Sequence, residues 1–175
     1  MTLWEINRIS SGAFTTALGG IFEHSPWVAE RASAARPFAG IAELHAAMMA
    51  AVRAAPEEMQ LALLRAHPEL AGKAAIRGEL TPDSKLEQSR AGLNQCSPDE
   101  LARLGALNAA YDAKFGFPFI LAVKGYDRAG ILREFARRSE NDRDAEFEAA
   151  LAQIARITRS RLDADRNPES RVSVG

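Results

Sequence analysis

One histidine in this sequence stands where proton chemistry is feasible. In Arg65-Ala66-His67-Pro68-Glu69-Leu70-Ala71-Gly72-Lys73 an apolar helix runs into a histidine, a proline and a glycine in quick succession. Histidine trades protons near neutral pH. Pro68 disfavours αR geometry at the residue before it, so His67 is the predicted helix terminus, with a fixed position and an open side. Such a residue is either a general acid or base or a cap for the last carbonyls of its helix, and the local sequence leaves both open. His45, at the edge of a Met-rich helical stripe, reads as a core or edge histidine, and His24 falls in a loop. No His-x-x-x-His pair or acidic triad accompanies them, so no metal site is expected. Lys73 after Gly72 lacks the preceding glycine and the following Ser or Thr of a phosphate loop.

Three further features could surround an acting histidine. At about 100° per residue, Ser84, Glu87, Gln88 and Ala91 share one helix face, with Leu86 and Leu93 roughly opposite. Core-anchored leucines would turn the hydroxyl, carboxylate and amide toward water or toward a small polar ligand. Arg161 continues the inward stripe Phe147, Leu151, Ile154, Thr158. An arginine there either lays its stem along the core edge or meets an anion. Phe117 to Val123 is a continuous apolar run with no partner strand in the chain. It reads as a buried extended connector, whose backbone amides need partners that it cannot supply itself.

The elements that must position these groups are helical. Ser10-Ser11 opens a helix to about Leu18, and Ser25-Pro26 opens another, with Trp27 and Val28 facing inward and Pro37 beyond its end. Ile41 to Ala54 carries Ile41, Leu44, Met48 and Val52 at helical spacing. Pro56 begins the helix that reaches His67. Thr81-Pro82 starts the Ser84 helix, and Ser97-Pro98-Asp99-Glu100 is a capping box with proline at the first position. Gly116 ends that helix, Asp127 caps the next, and a polar break at 139–142 precedes the last. The fold class expected is all-α: a single-domain bundle of about eight helices with one buried extended connector, spanning 1–166, with a flexible tail at 167–175.

Composition bounds the rest. With 175 residues, 47% of them hydrophobic and 26% charged, the chain can build an ordinary core. A net charge of -1 gives no field for nucleic acid or an anionic membrane surface. No apolar run reaches membrane-spanning length, and no signal peptide or C-terminal Ser-Lys-Leu address is present, so a cytoplasmic location is the expectation. The lone Cys96 leaves no internal disulfide and reads as a half-buried bystander.

Taken together, His67-Pro68-Glu69-Leu70-Ala71-Gly72-Lys73, Ser84-Lys85-Leu86-Glu87-Gln88 with Ala91-Gly92-Leu93, and Tyr111-Asp112-Ala113-Lys114-Phe115-Gly116-Phe117-Pro118-Phe119-Ile120 resemble the 2-oxo-4-hydroxy-4-carboxy-5-ureidoimidazoline (OHCU) decarboxylases of urate breakdown. Each motif alone is weak; three in order and spacing are specific, and the likeness extends over almost the whole chain. The resemblance implies an all-helical homodimer needing neither metal nor organic cofactor. It implies stereoselective formation of (S)-allantoin from a small ureide substrate, downstream of urate oxidase and 5-hydroxyisourate hydrolase. It further implies that His67 is the catalytic acid and that Glu87 lies in the substrate-lining segment, where a catalytic role in orienting and polarising is expected of it. Ser84 and Gln88 would line the substrate, with Pro68 beside the ring. Phe119, Ile120, Leu121, Ala122 and Val123 would bind through backbone, and Arg161 would contact an anionic oxygen. Glu69 stands where the family has aspartate as often, and the absent peroxisomal tail is of bacterial type. Two other readings stay open on the residues alone: a helical interaction module whose His and Arg are structural, and a related lyase or hydrolase acting on another ureide.

Overall fold

The computed structural model describes residues 1–166; the expected tail, 167–175, lies outside the described residues. Among the described residues there are ten α-helices, two short 3-10 turns and no strand, so the all-α class holds. The helices are α1 (Leu3–Ile6), α2 (Ser11–Leu18), α3 (Trp27–Ala32), α4 (Ile41–Arg53), α5 (Glu57–Ala66), α6 (Lys73–Ile76), α7 (Pro82–Arg90), α8 (Pro98–Phe115), α9 (Arg128–Ser139) and α10 (Arg143–Arg166). Eight of them, each six residues or longer, are the helices expected. The two additions, α1 and α6, are single turns of four residues, too short for a periodic pattern to announce.

The ends follow local chemistry. Ser10, Thr81 and Asp127 each accept a backbone N–H of the first turn of α2, α7 and α9. Ser97 and Glu100 close a reciprocal capping box on α8, and Gly116 ends that helix at φ 78°, in the left-handed region that favours glycine. α5 stops at Ala66, immediately before His67 and Pro68.

The chain forms two compact units. One comprises Met1–Ala66 with Ala155 and the helix residues that follow it. Its core includes Phe14, Phe22, Val28, Leu44, Met48, Leu64 and Leu162. Trp27, expected to face inward, is half-buried and carries Arg31 over its ring, while Val28 beside it is fully buried. The other unit is His67–Ile154. An aromatic cluster from α8, α9 and the run 117–123 fills it. Phe119 and Phe135 stack with centroids 3.9 Å apart, and Tyr111 meets Phe135 edge-on at 5.7 Å. Arg138 lies over the Phe119 ring at 4.6 Å.

Candidate functional site

Ten of the eleven predicted site residues, from His67 to Val123, belong to the unit His67–Ile154. Arg161 belongs to the other unit.

His67 is buried, with 8% of its surface exposed, and Pro68 is half-buried. The backbone after them is held by side chains from α7 and α8. Gln88 Nε2 donates to Glu69 O at 3.2 Å, and Gln88 Oε1 accepts from Ala71 N at 2.9 Å. Asn108 Nδ2 donates to Leu70 O at 3.0 Å. Ala71 sits at φ 49°, a region that L residues adopt only when their surroundings enforce it. Gly72 is required by space: a Cβ there would come within 2.6 Å of Glu69 Cβ.

α7 reverses the polarity expected of it. Ser84 and Gln88 are buried at 2% and 6% exposure, Ala91 just beyond the helix is buried, and Glu87 is half-buried. Leu86, expected to anchor the helix in the core, is only half-buried, while Leu93 in the following turn is buried. The helix is therefore seated by its polar face. A buried amide is tolerated when it is hydrogen-bonded, and the loop 69–71 supplies partners to Gln88. This bears on the expected substrate role of Gln88. Its oxygen and one amide hydrogen serve the loop, which leaves one further hydrogen to offer a ligand.

The run 117–123 is neither helix nor strand and is buried almost throughout: Phe119 and Ile120 are fully enclosed, Leu121 and Val123 nearly so, and Ala122 half-buried. Its back is tied down. Arg138, 1% exposed, donates to Ile120 O and pairs with the fully buried Glu146. Glu146 also accepts from Tyr111 Oη and from Asn141 Nδ2, the latter at 2.9 Å. Burial, and then the bond to Glu146, raise the Tyr111 phenol well above its ordinary pKa and keep it a donor. Gln153 Oε1 accepts from Ala122 N at 3.0 Å, and Val123 O accepts from Tyr126 N at 2.9 Å. Among the described residues no hydrogen bond engages the N–H groups of Leu121 and Val123. Buried N–H groups rarely go without an acceptor, so this segment is suited to a ligand rich in carbonyl or carboxylate oxygens.

In the other unit, Arg161 is inward and buried at 5% exposure, as its place on the stripe predicts. It meets an internal carboxylate: Nη2 lies 3.0 Å from Glu23 Oε1, and Nη1 donates to Ile21 O at 3.2 Å. Nothing in the spacing of Glu23 announces this pairing, because 138 residues separate the partners. His45 Nε2 lies 3.0 Å from Thr158 Oγ1, and burial, then the charge of Arg159, lower its pKa; it is a structural histidine, as expected. His24 is exposed.

A cavity of about 390 Å³ opens beside Gln88, lined by Ala71, Ile76, Lys85, Ser89, Leu93 and Cys96 among others. Of the predicted site residues Gln88 lines it, while His67, Ser84 and Glu87 do not. Cys96 is half-buried there, and burial raises its thiol pKa, which makes it a poor nucleophile. Among the described residues no group of three or more His, Cys, Asp and Glu is placed to hold a metal ion, and no helix is long and apolar enough to cross a membrane.

The sequence reading does not single out Asn108 or the Arg138–Glu146–Tyr111 cluster, which hold the loop after His67 and the run 117–123 in place. The available signal was a polar amide on the otherwise apolar stripe Leu101, Leu104, Tyr111, Phe115.

Comparison with known proteins bears on what the site does. A family model described as OHCU decarboxylase matches residues 7–163. The chain is 42% identical over 162 residues to the 2-oxo-4-hydroxy-4-carboxy-5-ureidoimidazoline decarboxylase of Haloferax volcanii, covering 93% of this chain and 94% of that protein. It is also 42% identical over 161 residues to the uric acid degradation bifunctional protein PucL of Bacillus subtilis, covering 92% of this chain but only 32% of PucL. A crystal structure of (S)-allantoin synthase is similar with a TM-score of 0.73 and 31% identity, over 94% of this chain and 53% of that one. A crystal structure of OHCU decarboxylase in the presence of (S)-allantoin matches with a TM-score of 0.64 and 25% identity, over 79% of this chain and 89% of that one.

Proposed function

This chain belongs to the OHCU decarboxylase family, and we propose that it converts 2-oxo-4-hydroxy-4-carboxy-5-ureidoimidazoline stereoselectively to (S)-allantoin. The observation that carries the reading is the inward polar face of α7, buried in the same unit as His67 and the run 117–123. A helix seated by a serine and a glutamine, with its leucine half-out, is costly unless that face serves a polar ligand or a polar loop, and here it already serves the His67 loop.

The reaction breaks the bond to a carboxylate. The electron pair left behind delocalises into the ring, and a proton is then delivered to one face. Catalysis needs stabilisation of that developing charge and a positioned acid. His67 delivers or relays the proton. Glu87 orients and polarises, close to the substrate hydroxyl or to the histidine. Pro68 forms a wall of the pocket. Ser84, the remaining amide hydrogen of Gln88 and the backbone of Phe119, Ile120, Leu121, Ala122 and Val123 hold the ureido and ring groups. Arg161 is assigned contact with an anionic or carbonyl oxygen on the family resemblance. An arginine gripping the leaving carboxylate tightly would stabilise the ground state, so a looser or carbonyl-directed contact suits catalysis better.

The same resemblance supports a homodimer, a cytoplasmic location, residues 1–166 as the catalytic domain, and a place after urate oxidase and 5-hydroxyisourate hydrolase. The test is His67→Asn on freshly generated substrate, with allantoin chirality followed by circular dichroism. kcat/KM should fall by about 10²–10⁴-fold while the fold is kept. Formation of (S)-allantoin at the wild-type rate would remove His67 as the acid. A panel of other ureides run alongside separates this activity from a related lyase or hydrolase.

A further inference from the structure

We infer that Asn108 is a positioning residue for catalysis: through Leu70 it holds the loop that aims His67. The inference rests on the reading of His67 as the catalytic acid. Asn108 lies on the buried stripe of α8, between Leu104 and Tyr111, and is 3% exposed. Burying an amide there is costly, and the cost is only partly offset: Nδ2 donates to Leu70 O, but Oδ1 has no partner among the described residues. The assignment of the two amide atoms is fixed by the chemistry, because a carbonyl needs a donor. A leucine of similar volume would fill the site without the orphaned oxygen. Asn108 is therefore a poor choice for core stability and a good one for gripping a backbone carbonyl.

What it grips is a turn with little freedom to settle on its own. Three consecutive residues are each fixed by a side-chain amide: Glu69 O and Ala71 N by Gln88, and Leu70 O by Asn108. Ala71 is held in the left-handed region, and Gly72 admits no Cβ. Such a conformation persists only where its surroundings over-determine it. Gln88 holds the turn from α7 and Asn108 holds it from α8, so without Asn108 only one of the two walls remains. The turn starts at His67-Pro68, and a reacting group displaced by about 1 Å can lose about 10²-fold in rate.

The experiment compares wild type with Asn108→Leu and His67→Asn, measuring kcat and KM separately, melting temperature and hydrogen exchange at the Ala71 amide. For Asn108→Leu, kcat should fall about 10–100-fold with KM within about twofold. The melting temperature should be little changed, because the orphaned Oδ1 is lost while Leu70 O loses its donor, and exchange at Ala71 should be faster by about tenfold. A purely structural role would instead lower the melting temperature and leave both kcat per folded molecule and Ala71 exchange unchanged. If Asn108→Leu does not fold, Asn108→Asp keeps the shape, sets an oxygen against Leu70 O, and should show the same kcat loss. Wild-type kcat in Asn108→Leu beside an inactive His67→Asn would overturn the positioning role. Wild-type kcat in His67→Asn would overturn the reading it rests on.

Discussion

Two buried segments without helix or strand lie in the unit His67–Ile154, and they are held in opposite ways. The turn after His67 is closed: neutral amides from Gln88 and Asn108 take up Glu69 O, Leu70 O and Ala71 N in succession. The run 117–123 is anchored only at its back, by Arg138 on Ile120 O, Gln153 on Ala122 N and the turn bond from Tyr126 N to Val123 O. The amides of Leu121 and Val123 are left without an acceptor among the described residues. A turn with its backbone bound can do little but present a side chain. A buried run with spare N–H groups presents the backbone itself. Under the proposed function, this difference would divide the labour: one segment would aim the acid, and the other would read the substrate's oxygens.

If the run is anchored through Arg138, breaking that anchor should have the largest effect on stability. Arg138→Met leaves Glu146 enclosed without its cationic partner and should cost about 3–5 kcal/mol by urea unfolding. The double substitution Arg138→Met with Glu146→Leu should regain most of that, because the buried charge leaves with its partner. Gly72→Ala strikes the closed turn instead. Its Cβ meets Glu69 Cβ, and about 1–3 kcal/mol is expected, relieved by Glu69→Gly in the same chain. A loss that Glu69→Gly does not relieve would place the strain elsewhere. The mildest change is Gln153→Leu, which strips Ala122 N of its acceptor on a half-buried residue. About 1 kcal/mol of stability should be lost, with KM rising more than kcat falls if the run serves binding.

Much of the scaffold was legible because its signals are local. Ser97 with Glu100, Thr81 before Pro82, Asp127 and Gly116 mark helix ends through residues at most a turn away, and each marks the end it predicts. The inward place of Arg161 was legible by arithmetic along one helix, but its partner Glu23 was not, since only the fold brings the two together. The seating of α7 was less legible for a related reason: Leu93 is buried as expected, but Leu86 is not. Periodicity assumes that the apolar face goes in, yet Ser84 and Gln88 are buried and Leu86 is half-out. A polar face can be the inner one only if something polar receives it. The receiver of Gln88 is the backbone of Glu69 and Ala71, invisible to any pattern within α7. Asn108 stands on the apolar stripe of α8, and its receiver, the carbonyl of Leu70, is equally invisible to any pattern within α8.

The division between the two segments is tested most directly by following backbone amides while (S)-allantoin is titrated into ¹⁵N-labelled protein. The N–H resonances of Leu121 and Val123 should shift saturably downfield as they gain acceptors. The Ala71 amide, already bound to Gln88, should keep its slow exchange throughout. Saturation of the site with Leu121 and Val123 unmoved would contradict the account, because the run would then be packing and nothing more.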